Sequence, residues 1–194
     1  MSDKIDNEAM AEKAYELGFL YEQKYRGCAQ CAIAAIQDAL GIQNDLVYKT
    51  ASGLAGGVGE CTDGVCGGYS GAVMMMSLFF GRTRAEEGSV KGRADKYDSF
   101  HMASAMHDTY VGKYGSVICK EIHKAIFGRS FDLRNDDDKQ AFRDAGAHEK
   151  DDKCCAVVGD GARWAVKAIL EELERRNLTL EDFRSLVQRD QQEA

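Results

Sequence analysis

The chain has 194 residues, seven cysteines and no proline, with 25 Lys+Arg against 32 Asp+Glu for a formal net charge of −7. With 44% hydrophobic and 29% charged residues, this is the composition of an ordinary globular domain, not of a disordered tail or a collagen-like repeat. The acidic balance argues against an electrostatic nucleic-acid binder and against a polybasic membrane anchor, since both need a basic face.

The opening stretch MSDKIDNEAMAEKAYELG has no apolar core and no small-residue cleavage site, so no secretion signal is expected. Absence of proline removes the commonest helix breaker, and no run of alternating β-branched residues reads as a strand. Met10, Ala14, Leu17, Tyr21 and Tyr25 recur at three- and four-residue spacing, one face of a first helix. The alanine- and isoleucine-rich segment 28–40 reads as a second helix, stopped by Gly41. Asn44 is placed to cap a short helix through about Leu54.

A glycine-rich stretch over 53–71 then leads into an apolar helix over 69–80. That helix is hydrophobic on all sides and is expected at the centre of the fold. It is far short of the roughly 20 residues of a membrane span. Residues 81–92 read as a surface loop. A long helix is expected over about 94–113, with Tyr97, Phe100, Ser104, His107, Val111 and Tyr114 as its inner face. Ser116 is placed to cap a helix through Phe127, and a short helix is expected over 139–145. Val158, Ala162, Ala165, Ile169 and Leu173 mark a strong amphipathic helix. Thr179 and Asp182 form a relative of the capping box for a last helix. No repeat and no linker divides the chain. The expectation is an all-α, single-domain bundle of about six to eight helices around a buried apolar one.

A cytoplasmic location is expected, and thiols there usually stay reduced. Seven cysteines then need a role other than structural disulfides, and an odd number cannot pair completely within one chain. Cys28 and Cys31 form the one C-x-x-C pair, Cys61 and Cys66 flank a glycine-rich turn, Cys119 stands alone, and Cys154 and Cys155 are adjacent. This is not zinc-ribbon spacing. Four regions do share a position: Cys28, Cys66, Cys119 and the Cys154–Cys155 pair each lie at an expected helix start. Unsatisfied N–H groups and the helix dipole there favour a thiolate, the form that binds metal or attacks disulfides. The simpler reading of any one of them is a small core-filling hydrophobe, above all for Cys31. His107 reads as a hydrogen-bonded core residue, and His148 as a reserve ligand near Cys154. The acidic run Asp136–Asp138 reads as a solvated helix start. The glycine run 53–59 lacks the Lys-Ser/Thr pair of a phosphate loop.

The residues Cys66-Gly67-Gly68-Tyr69-Ser70-Gly71 resemble the C-G-A-x-x-G motif of C_GCAxxG_C_C, a family of bacterial redox-active proteins with four characteristic cysteines. Gly27-Cys28-Ala29-Gln30 is similar to the surroundings of the first cysteine, 114–119 to those of the third, and Asp152-Lys153-Cys154 to those of the fourth. Gly68 replaces the motif alanine, Cys155 stands where proline is expected, and Cys31 and Cys61 look like additions. The resemblance implies a redox-active or electron-transfer protein, an oxidoreductase in the broad sense. Its cofactor would be an iron–sulfur cluster or another metal held by Cys28, Cys66, Cys119 and Cys154, with Cys31, Cys61, Cys155 and His148 in reserve. Two other readings stay open. One is a metal-free thiol–disulfide oxidoreductase in which Cys66 attacks and Cys28 or Cys61 resolves. The other is a non-catalytic helical domain held by structural zinc. A separate redox partner is expected, and the apolar and aromatic helix faces suit a homodimer.

Overall fold

The computed structural model describes residues 7–192, so the first six residues of the stretch read for a secretion signal lie outside the description. The described residues form nine α-helices and no strand: α1 (Asn7–Lys24), α2 (Cys28–Leu40), α3 (Asp45–Thr50), α4 (Gly67–Phe80), α5 (Val90–Tyr114), α6 (Cys119–Phe127), α7 (Asp136–Asp144), α8 (Cys154–Arg175) and α9 (Leu180–Gln192). The fold is all-α, as expected. None of these helices is long and apolar enough to cross a membrane.

One core joins α1, α2, α4 and α8, with α5 and α9 laid against it. The apolar α4 supplies its centre: Ala72, Met75 and Met76 are sealed, and Val73, Met74 and Leu78 are half-buried around them. On α8, Val157, Ala162, Ala165, Val166 and Ile169 form the matching stripe. A second, smaller core of Phe131, Leu133, Phe142 and Ala147 lies around α7.

The helix ends follow local chemistry. Asn44 Oδ1 accepts from Val47 N at 3.0 Å, Ser89 Oγ from Gly92 N at 2.9 Å, and Asn135 Oδ1 from Asp138 N at 3.0 Å. Thr179 and Asp182 bond reciprocally at the start of α9. The helix begun at Asn44 is shorter than expected. It ends at Thr50, and 52–54 tighten into a 3-10 turn. The segment 81–92 likewise holds a 3-10 turn closed by a capping box between Thr83 and Glu86. Ser116 does not cap α6: its Oγ accepts from Ile118 N at 3.0 Å, and the helix starts at Cys119.

The expected face of α5 is rotated, and that of α1 is kept by Ala14, Met10, Leu17 and Tyr21 but not by Tyr25. On α1 the buried residues are Ala11, Ala14, Gly18 and Glu22, while Tyr25 is exposed. Small residues let α1 lie close along α8, so the larger side chains are turned to the flanks. On α5 the buried aromatic residues are Tyr110 and Tyr114, and Tyr97, Phe100, His107 and Val111 face solvent. His107 is therefore not a core residue; its Nδ1 lies 3.1 Å from Asp108 Oδ1. Tyr110 wins the inner position because its hydroxyl donates to the Val157 carbonyl at 3.1 Å, and its ring stands edge-on to Trp164 at 5.2 Å and to Tyr69 at 5.5 Å.

Candidate functional site

Each of the four motif cysteines stands at a helix start. Cys28, Cys119 and Cys154 are the first residues of α2, α6 and α8, and Cys66 is the N-cap of α4. All four line one cavity of about 130 Å³. Ile122, Leu133, Phe142 and Val157 give it apolar walls, and Glu22, His123 and His148 are also in its lining.

Two local devices bring the cysteines together. The chain before α4 pairs with the chain before α6. Cys66 N donates to Val117 O at 2.7 Å, Cys119 N to Gly64 O at 3.0 Å and Lys120 N to Thr62 O at 2.9 Å, around an isolated antiparallel bridge of Val65 with Ile118. This fastens Cys66 beside Cys119. The second device is Gly67. A Cβ there would stand 2.2 Å from Cys28 Sγ and 2.7 Å from Ala29 N, so only glycine lets the start of α4 sit against the start of α2.

The loop that wraps the site is held in an uncommon conformation. Val58, Glu60 and Thr62 all have φ between +60° and +66°. Left-handed backbone costs on the order of 1–3 kcal/mol per non-glycine residue and is worst for β-branched ones. Packing against Cys119 over-determines it, since a Cβ on Gly57 would meet Cys119 Cβ at 2.7 Å.

None of the four helix starts at the cavity has a side-chain cap, unlike those of α3, α5 and α7. Backbone N–H groups favour the charged sulfurs instead: those of Gly56 and Gly67 that of Cys28, and those of Gly68 and Tyr69 that of Cys66. The expectation that helix starts make these thiols ionise readily is nevertheless overturned. Burial pushes all four thiols up, those of Cys66 and Cys119 to about 12. Losing water costs a thiolate more than a few N–H groups return.

The reserve residues divide. His148 lines the cavity, with Nε2 3.4 Å from Glu22 Oε1. Cys31 and Cys155 are buried behind the site, and Cys31 Sγ donates to Arg26 O at 3.2 Å. Cys61 is not in the lining; its Sγ lies 3.6 Å from Gly59 O. Among the described residues, no three His, Cys, Asp or Glu side chains stand as a group able to hold a metal ion.

Two lining residues escaped the sequence reading. Glu22 is 3% exposed, and its Oε2 is buried without a hydrogen-bond partner. Its signal was a charge four residues after Gly18 on the small-residue stripe of α1. His123 follows Cys119 by one helical turn, with Nε2 3.6 Å from Cys119 Sγ. Its signal was the C-x-x-x-H spacing.

Comparison with curated proteins and with solved structures returned no match. Comparison with protein families matched residues 27–168 to the one described as "Putative redox-active protein (C_GCAxxG_C_C)". That span runs from the glycine before Cys28 into α8 and includes all four cysteines of the cavity, so the chain belongs to the C_GCAxxG_C_C family.

Proposed function

We propose that the protein is a cytoplasmic electron-transfer or oxidoreductase protein. Cys28, Cys66, Cys119 and Cys154 would hold a metal group, an iron–sulfur cluster best of all. The observation that carries this reading is the meeting of four uncapped helix starts, each with a cysteine, around one cavity.

The donor set suits such a group. Buried neutral thiols are poor nucleophiles, since the thiolate is the reactive form. A cation compensates thiolate charge directly, and the uncapped N–H groups add to it. The unpartnered Glu22 Oε2 is a further buried acceptor that positive charge nearby would satisfy. Size favours a polynuclear group over a lone ion. The four cysteines line a cavity of about 130 Å³, and about 150 Å³ of dry cavity accepts a molecule as large as benzene. When bound, an iron–sulfur cluster accepts and releases single electrons. The chain contributes the four sulfurs, N–H groups directed at Cys28 and Cys66, and apolar walls that limit water. A separate redox partner would supply or remove the electron.

Anaerobic purification, the visible spectrum and elemental analysis test this. The expected result is a broad band near 400 nm with stoichiometric iron, and loss of both in Cys66→Ser. A colourless, metal-free protein whose thiols oxidise in pairs sinks the metal reading in favour of thiol–disulfide exchange. Stoichiometric zinc without redox activity would leave a structural site.

A further inference from the structure

Glu22 lies outside the family-matched span, yet it reaches the same cavity from near the end of α1. A carboxylate so deeply buried is costly unless fully paired. His148 is its single ion-pair partner among the described residues, and it touches only Oε1. Arg26, Lys139 and Arg143 also line the cavity, but Lys139 is engaged by Glu60, Arg143 bonds Gln140, and none of the three pairs with Glu22. Among the described residues, no guanidinium or ammonium pairs with Glu22. Its influence spreads widely: the carboxylate disfavours the charged forms of Cys28, Cys31, Cys66, Cys154 and Cys155.

We propose that Glu22 sets the redox potential of the four-cysteine site: its carboxylate, buried in the same cavity lining as the sulfurs with Oε2 unpartnered, favours the oxidised state in its ionised form. The inference rests on the metal-group reading above. Reduction adds one electron from an external one-electron donor and makes the site more negative by one charge, with no bond formed or broken. A fixed negative neighbour destabilises the product of that step. Glu22 is thus a positioning residue for charge, not a ligand and not a catalytic residue.

The test is a spectroelectrochemical titration, with dithionite as reductant, of wild type, Glu22→Gln and Glu22→Asp, each reconstituted with ferrous iron and sulfide. Iron per chain is measured first. The expected result is equal iron in all three and a reduction equilibrium of E22Q shifted at least about tenfold toward the reduced form, about 59 mV for a one-electron couple. E22D, which keeps the charge, should stay close to wild type. An unchanged E22Q potential at equal iron content overturns the inference while leaving the metal site intact. Loss of iron in E22Q also overturns it, because Glu22 would then be a ligand. A wild type that takes up no iron removes the metal reading itself, and the inference with it.

Discussion

The imidazole of His123 lies among three phenylalanine rings, 5.0 Å from Phe142, 5.7 Å from Phe127 and 6.0 Å from Phe131. Burial holds its pKa down to about 4. The group is therefore neutral at ordinary pH, with Nε2 3.6 Å from the Cys119 sulfur. In the unfolded chain a histidine titrates near 6.5. Between pH 6.5 and 4 the unfolded state binds more protons than the folded one, so stability falls as the pH falls through that window. A gap of about 2.5 units corresponds to an upper value of about 3 kcal/mol. Urea unfolding of the metal-free protein at pH 7 and at pH 4.5 should show this loss, and His123→Phe should reduce it. Equal acid sensitivity in the two proteins would mean that the loss arises elsewhere.

At the scale of the element, the crossing of α4 with α8 depends on a notch filled by one hydroxyl. A Cβ on Gly161 would stand 2.3 Å from Tyr110 Oη and 2.6 Å from Gly68 O, whereas one on Gly68 would stand 3.0 Å from the same hydroxyl. Alanine in a helix gains roughly 0.5–1 kcal/mol over glycine, and forced overpacking costs about 1–3 kcal/mol. Gly68→Ala should come out near neutral, in keeping with the alanine of the family motif. Gly161→Ala should destabilise by about 1–3 kcal/mol in urea unfolding, and Tyr110→Phe should soften that loss. A neutral Gly161→Ala would show that α4 and α8 separate freely enough to admit the methyl group, since the Gly68 carbonyl also stands in its way.

Elements also differ in how far the sequence announced them. Helix starts were legible because a glycine, a cap or an onset of apolar spacing marks them, and the four cysteines were placed correctly for that reason. The inner face of α5 was not, and that of α1 was legible only in part. Periodicity finds the most apolar stripe, but α1 turns its smallest residues inward to approach α8 closely. On α5, Lys96 covers the exposed Tyr97 and Phe100 rings at 4.8 and 5.7 Å, so those aromatics need no core. Glu22 was missed because its importance comes from a neighbour on another helix. The ionisation of the thiols was misjudged because a helix start is visible in a sequence and the water it loses is not.

Across the whole molecule, the site is a product of complete folding. The helices that open on the cavity begin at positions 28, 67, 119 and 154, and α1 and α8, far apart in sequence, run against each other to close the body. No local segment carries two of the cavity's four cysteines close in sequence, so a fragment that begins after Cys28 or ends before Cys154 would lack part of the site.

Trp164 is the single tryptophan of the chain, and it stands edge-on to the ring whose hydroxyl rests against the first turn of α4, directly after Cys66. The fluorophore thus stands one ring away from the start of α4, outside the cavity lining. Loading with iron and sulfide should quench its emission, and the quenching should saturate at the stoichiometry found by elemental analysis. Trp164→Phe should remove the signal without lowering the iron content. Assembly of the centre could then be followed in real time, with no label attached.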